Sequence, residues 1–364
     1  MTAAQHHAYH NLYLIRHGET VDNIAGVYAG ITDSALTNHG VQQGIRLGQW
    51  FAKHDVVFTH FFSSDLSRAH KTAENVRKSQ LTGEDAPEIV LSSDLREQDF
   101  GFYERKPFYA RSPDSKKTGK DTHRAQHKDD KGFQDIESKE SMAKRADNYL
   151  DEHLLPLLKQ APHDHGYSIA IVSHGMLLSS LWKAILRRQR PNSVILDPTA
   201  AIAGAPVTLE HLGGWSNTGY LHLELQKNVP TEPGAKAIGG SVPTDAQVEG
   251  NKALAAEAIS AIDQVDDNEI NITQRPSPPA GTRVPPTTEG TAAENVLAPT
   301  SQSGITPSTE ERPPSGSFKI RIKTINGKEH LTGLKRTGGG VGSSKHDEAQ
   351  KSIETFFKRR KTES

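Results

Sequence analysis

The chain contains no cysteine. Disulfide frameworks, thiolate catalysis and cysteine-ligated zinc are therefore excluded. Apolar residues are also scarce: 34% hydrophobic and 6% aromatic over 364 residues. So little apolar surface implies that part of the chain builds no core. No apolar run approaches membrane-spanning length, so no membrane role is expected. Met1-Thr2-Ala3-Ala4-Gln5-His6-His7 lacks the apolar centre of a signal peptide. A soluble, cytoplasmic and/or nuclear protein is the resulting expectation.

Composition changes near Lys227. Before it come apolar strands and amphipathic runs; after it Pro, Thr, Ser, Gly and Ala dominate. The formal net charge of −1 hides an asymmetry, about −7 over 228–316 and about +7 over 317–364. The expected organisation is a catalytic domain over 1–227, a disordered Pro/Ser/Thr-rich linker over 228–316, and a basic tail over 317–364. Pro276-Ser277-Pro278-Pro279 and Pro285-Pro286 favour extended chain in the linker. Residues 246–265 have helical spacing, but an isolated helix is marginal in water.

Within the first domain, strands alternate with helices. Strands are expected at 11–16, 56–63 and 168–173, with a short apolar piece at 89–92 and a half-exposed edge strand at 220–225. Helices are expected at 37–53 with Thr37 as N-cap, after Asp65 as cap to about Lys78, at 141–158, and from 175 to about Ile185. This order predicts an α/β three-layer sandwich with a mostly parallel central sheet, plus a disordered C-terminal extension. His6, His7 and His10 read as a frayed terminus rather than a metal tract. Between Arg105 and Phe133 lie Lys106, Arg111, Lys116, Lys117, Lys120, Arg124, Lys128 and Lys131, a long basic loop suited to an anionic substrate or simply solvated.

Two histidines, each followed by glycine, end two of these strands: Leu14-Ile15-Arg16-His17-Gly18-Glu19-Thr20 and Ile169-Ala170-Ile171-Val172-Ser173-His174-Gly175. Glycine there lets the chain turn sharply. Ligands in open α/β sheets collect at the carboxyl ends of strands, so both imidazoles are placed to face one crevice. Arg16 adjoins the first, and Arg68 arrives in Ser63-Ser64-Asp65-Leu66-Ser67-Arg68-Ala69-His70. Two histidines and two arginines suit a phosphoryl group.

The set LIRHGET at 14–20, SSDLSRAHKTAE at 63–74, LREQDFG at 95–101 and VSHG at 172–175 resembles the histidine phosphatase superfamily, the phosphoglycerate mutase-like enzymes. The resemblance spans about residues 10–226 and implies that fold. It implies His17 as the nucleophile, forming a phosphohistidine that water hydrolyses. Arg16, Arg68 and His174 would bind phosphoryl oxygens, and no metal or cofactor is called for. Glu97 in LREQDFG would be the general acid, favoured in its protonated form by the like charge of the phosphoryl group. Family position also implicates Thr20, Asn23 and Ser64 as phosphate or substrate contacts. Many relatives continue after the acidic residue with aromatic-Glu-Gly, whereas this chain reads Phe102-Tyr103-Glu104-Arg105, and Glu140-Ser141 resembles the family's Gly-Glu-Ser helix start with Lys139 in place of glycine. The expected substrate is a phosphorylated small molecule. The expected activity is phosphomonoester hydrolysis, with a phosphoglycerate-type mutase as the alternative.

The C-terminus carries two further features. Phe318-Lys319-Ile320-Arg321-Ile322 alternates and Asn326-Gly327 signals a hairpin, which must dock on the domain or form on a partner. Gln350, Ile353, Phe356 and Phe357 have the spacing of a PCNA-interacting (PIP) box, so a sliding clamp is an expected partner through this tail. Lys358-Arg359-Arg360-Lys361 beyond it suits nuclear import or weak nucleic-acid contact. A clamp-binding module with the domain as scaffold is the other functional reading.

Overall fold

Seven strands make one sheet in the computed structural model, which describes residues 9–80, 86–107, 124–125, 127–162, 165–200, 208–227, 318–335 and 341–347. All of these fall in one compact unit built from 1–269 with 314–364; the second unit, 270–313, lies outside them. The strands are β1 (Tyr9–Arg16), β2 (His60–Ser64), β3 (Ile89–Ser92), β4 (Ser168–Ser173), β5 (Val194–Leu196), β6 (Tyr220–Lys227) and β7 (Phe318–Gly327). Their order is β3-β2-β4-β1-β6-β7-β5. Only β6 runs against the others.

Alternation along the strands builds the layers. Tyr13, Ile15, Ala170 and Val172 meet helices α2 (Asn38–Lys53) and α3 (Ser67–Lys78) through Leu47, Phe51, Ala69, Ala73 and Val76. Leu12, Leu14, Ile169 and Ile171 face the other way. There they pack against α4 (Lys139–Tyr149) and α6 (Gly175–Arg187) through Met142, Ala146, Leu177, Leu178 and Leu181. This is the expected α/β three-layer sandwich. A short α1 (Val21–Ala25) follows β1, and α5 (Leu155–Gln160) follows α4. Among the described residues, no helix is long and apolar enough to cross a membrane.

Several local expectations are corrected. Asp65 does not cap α3; its carboxylate takes two hydrogen bonds from Arg96, and Leu66 holds the cap position. Strand β2 begins at His60 rather than residue 56. The helix expected at 141–158 starts at Lys139 and widens into a π turn over Leu150–Leu154. Pro156, just beyond, has no N–H to donate into the ladder. Its cap is Ser138, which accepts from the N–H of Ser141, so Glu137-Ser138 opens the helix rather than Glu140-Ser141. His10 is no frayed residue: it is buried in β1 and accepts from the N–H of Tyr167.

The largest correction concerns β7. No hairpin forms at Asn326-Gly327; residues 318–327 are one strand, antiparallel to β6 with Lys227 opposite Phe318. Strand β6 is therefore interior, not an edge, and the sheet does not end at residue 227. Asn326 bends the strand's end at φ 48°, its Oδ1 accepting from the N–H of Ser216. The chain then returns across the domain. His330 meets Thr218, Arg46 donates to the Thr332 carbonyl, and His346 donates its N–H to the Leu36 carbonyl. Residues 318–335 and 341–347 thus belong to the same compact unit as the first six strands.

Candidate active site

Strands β1 and β4 are parallel neighbours with Arg16 opposite Ser173, so His17 and His174 emerge side by side. The N–H of His17 donates to the Ser173 carbonyl, and the two rings lie 5.0 Å apart. Gly18 is required by close approach: a Cβ there would stand 2.6 Å from the Gly40 carbonyl oxygen in the first turn of α2. At Gly175 a Cβ would stand 3.9 Å from Arg16 Nε, an ordinary contact, so close approach does not demand glycine there.

Hydrogen-bond partners fix the tautomer of each ring. His17 Nδ1 lies 2.7 Å from the Gly18 carbonyl oxygen, which only accepts. Nδ1 therefore carries the proton and Nε2 the lone pair. His174 is opposite. Arg68 Nε, which only donates, reaches His174 Nδ1 at 3.2 Å, so the proton of the neutral ring sits on Nε2. One imidazole offers a nucleophilic nitrogen and the other offers a donor.

Burial, then the charges of Arg68 and Arg16, hold His17 well below the usual imidazole range. Burial likewise lowers His174, with Arg68, His17 and Arg16 adding to it. Both shifts favour the neutral rings. Arg68 is fully buried and donates to the carbonyls of Thr32, Ala29 and Gly30 at 3.1, 3.2 and 2.6 Å. Arg16 donates one nitrogen to the Trp215 carbonyl. Arg16 Nε and His174 Nε2 are buried without a protein partner. Buried donors of this kind are matched by an anionic acceptor, and two arginines supply the charge to hold it.

Glu97 arrives from the turn after β3 and is buried beside this cluster. Its carboxylate accepts from the N–H groups of Met176, Leu177 and Gln98 at 3.3, 3.1 and 3.0 Å. It therefore caps α6, the helix that starts directly after His174. Its charge also acts on both Arg16 and Arg68. The five residues form one cluster from the carboxyl ends of adjacent strands.

Residues 12–202 match the model of the histidine phosphatase superfamily, branch 1. The chain belongs to that superfamily. It is 33% identical to the "Probable phosphoglycerate mutase GpmB" of Erwinia tasmaniensis over 175 residues, 48% of this chain and 74% of that one. It is 30% identical to a "Probable phosphatase" of Schizosaccharomyces pombe over 224 residues, 58% of this chain and 70% of that one. Among solved structures, the phosphoglycerate mutase of Bacillus anthracis aligns with TM-score 0.43 and 23% identity, covering 60% of this chain and 89% of that one. A mycobacterial glucosyl-3-phosphoglycerate phosphatase aligns with TM-score 0.41 and 19% identity, covering 59% and 90%.

The remaining expected contacts have local partners. The Thr20 hydroxyl accepts from the N–H of Asn23, and Asn23 Oδ1 accepts from the N–H of Thr20, a reciprocal cap on α1. Asn23 Oδ1 also accepts from Asn217 Nδ2, which reaches the His17 carbonyl too. Ser64 Oγ accepts from the N–H of Leu66 at the entry to α3. These three shape the turns that carry His17 and Arg68. Gln350, Ile353, Phe356 and Phe357 lie outside the described residues.

Sequence reading missed the 215–218 turn. Trp215 holds Arg16, Asn217 holds His17, and the N–H of Thr218 donates to the carbonyls of both. Nothing in Gly213-Gly214-Trp215-Ser216-Asn217-Thr218 signals that role, because it depends on β6 lying beside β1. Glu104 likewise carries no role that the sequence alone signals. It accepts from the N–H groups of Gly30, Ile31, Thr32 and Phe100.

Proposed function

We propose that this enzyme hydrolyses phosphomonoesters through a phosphohistidine on His17. The observation that carries the reading is the bond from His17 Nδ1 to the Gly18 carbonyl, which leaves the Nε2 lone pair for phosphorus. In the first step Nε2 attacks phosphorus and the bond to the ester oxygen breaks. Protonated Glu97 donates its proton to that oxygen, releasing an alcohol. Water then attacks the phosphohistidine, the N–P bond breaks, and the Glu97 carboxylate takes the water's proton. Arg16, Arg68 and His174 Nε2 bind the phosphoryl oxygens throughout. A phosphorylated small molecule is the proposed substrate, and the basic residues Lys106, Arg124, Lys128 and Lys131 favour an anionic one.

His17→Ala should abolish turnover of p-nitrophenyl phosphate while the protein keeps its fold, and acid-labile phosphate should form on the wild type. Normal turnover by His17→Ala would overturn the reading. The mutase alternative draws on the similarity to GpmB. Incubation with 3-phosphoglycerate separates the two, since a mutase yields 2-phosphoglycerate and a phosphatase yields free phosphate.

The tail supports a second proposal, that Gln350, Ile353, Phe356 and Phe357 bind a sliding clamp in the nucleus. Because the chain through Asp347 returns to the domain, the motif begins only three residues beyond it. A bound clamp would then hold the enzyme close, without the long tether expected from composition. Replacing Ile353, Phe356 and Phe357 by alanine should remove clamp binding and spare turnover; unchanged binding would sink this proposal.

A further inference from the structure

Glu97 stands on a turn whose carbonyls are gripped one after another. Arg145, from α4, donates Nη1 to the carbonyls of Asp94 and Arg96 at 3.0 and 2.9 Å. Its Nη2 donates to the carbonyl of Glu97 itself at 3.3 Å. The one carbonyl left between them, that of Leu95, accepts from Ser173 Oγ at 2.7 Å. Four consecutive carbonyls of the acid's own turn are thus held by two side chains.

Arg145 is itself locked. Nε and Nη2 make a paired contact with the Glu137 carboxylate at 2.8 and 2.6 Å. The Ser141 hydroxyl donates to the same carboxylate, and Gln98 Nε2 donates to the Glu137 carbonyl. Every guanidinium nitrogen of Arg145 is used. The planar fork that lets one side chain bridge a carboxylate and three carbonyls belongs to arginine and not to lysine. Ser173 directly precedes His174, so the same grip ties the turn carrying the acid to the strand that leads into His174, the hydrogen-bond donor to the phosphoryl oxygens.

We infer that Arg145, seconded by Ser173, is the positioning residue that aims Glu97 at the leaving oxygen. The inference rests on Glu97 acting as the acid in the reaction proposed above. A residue acting through a general acid has a specific signature. An alkyl phosphate must have its leaving oxygen protonated, whereas p-nitrophenolate leaves without a proton. Misaiming Glu97 therefore harms the alkyl ester selectively, and kcat/KM reports this step for both esters.

The test measures kcat/KM for glycerol phosphate and for p-nitrophenyl phosphate. Arg145→Gln should lower the alkyl-to-aryl ratio by about tenfold or more, and Arg145→Lys should not restore it. Ser173→Ala removes one carbonyl's partner only and should shift the ratio in the same direction by less; it serves where Arg145→Gln fails to fold. In a Glu97→Gln background, adding Arg145→Gln should leave the ratio where Glu97→Gln put it. An equal loss on both esters, or a further ratio change in the Glu97→Gln background, would overturn the positioning role and leave the phosphatase reading standing. No turnover of either ester by the wild type would overturn both.

Discussion

Glu104 and Arg68 grip one short loop from opposite sides. The carboxylate takes the N–H groups of Gly30, Ile31 and Thr32, while the guanidinium donates to the carbonyls of Ala29, Gly30 and Thr32. The loop's dipoles are thus lined up between an anion and a cation, and Arg68 in turn sets the tautomer of His174. Glu104→Gln turns one acceptor into a donor among N–H groups. It should destabilise the fold by about 1–3 kcal/mol and lower kcat/KM by about tenfold through Arg68. Urea unfolding and p-nitrophenyl phosphate kinetics check the two effects; a stability loss with unchanged kcat/KM would separate the loop from the chemistry.

Arg105 sits directly beyond Glu104 at φ 62°, a left-handed conformation that costs a side chain about 1–2 kcal/mol. Arg105→Gly removes that strain but adds freedom to the unfolded chain, which offsets part of the gain. A net stabilisation of up to about 1 kcal/mol is expected, read as a higher melting temperature with kcat/KM unchanged. A lower melting temperature would mean the arginine side chain contributes more than its backbone costs.

Acid should reach stability before it reaches the nucleophile. Burial and two arginines hold His17 well below 6.5, so protonation of this ring should leave kcat/KM unaffected as pH falls through 6.5. Stability behaves differently. Burial lowers His222 and His330 to about 4, helped by the charges of Lys323 and Arg46 respectively. Below 6.5 the unfolded chain binds protons that these folded imidazoles refuse, so stability falls between pH 6.5 and 4 and is fully present above 6.5. Melting temperatures measured from pH 7.5 to 4.5 should drop, and His330→Asn should flatten the drop. A melting temperature independent of pH over that range would contradict the burial of these rings.

Short-range signals were legible and long-range ones were not. His17, Arg16, Arg68, Glu97 and His174 each lie at or just beyond a strand's carboxyl end, and a run such as Ile169-Ala170-Ile171-Val172 announces its strand locally. Thr37 was legible as a cap because its hydroxyl serves Gly40 three residues on. The partner of β6 was not, since Phe318 pairs with Lys227 from far along the chain. An alternating strand with an unseen neighbour reads as an edge. Glu137-Ser138-Lys139-Glu140-Ser141 repeats its pair three residues apart, and it is the Ser138 cap together with the bonds from Arg145 to Glu137 that tells the two apart.

The pairing of Lys227 with Phe318 yields a sharper test of the domain's extent than composition does. Truncation after Lys227 would strip β6 of its outer partner and remove His330 from Thr218, the residue whose N–H holds both Arg16 and His17. It should leave an unstable, inactive protein. Antiparallel neighbours whose paired ends face each other need only a two-residue turn, and Asn-Gly has the backbone freedom for it. Joining Lys227 to Phe318 through Asn-Gly, with 228–317 removed, should therefore preserve the fold and kcat/KM of the full chain. Thermal melts and p-nitrophenyl phosphate kinetics on both forms decide the matter. If the truncated chain folds and turns over normally, or the joined chain does not, β7 is not the strand that completes this sheet.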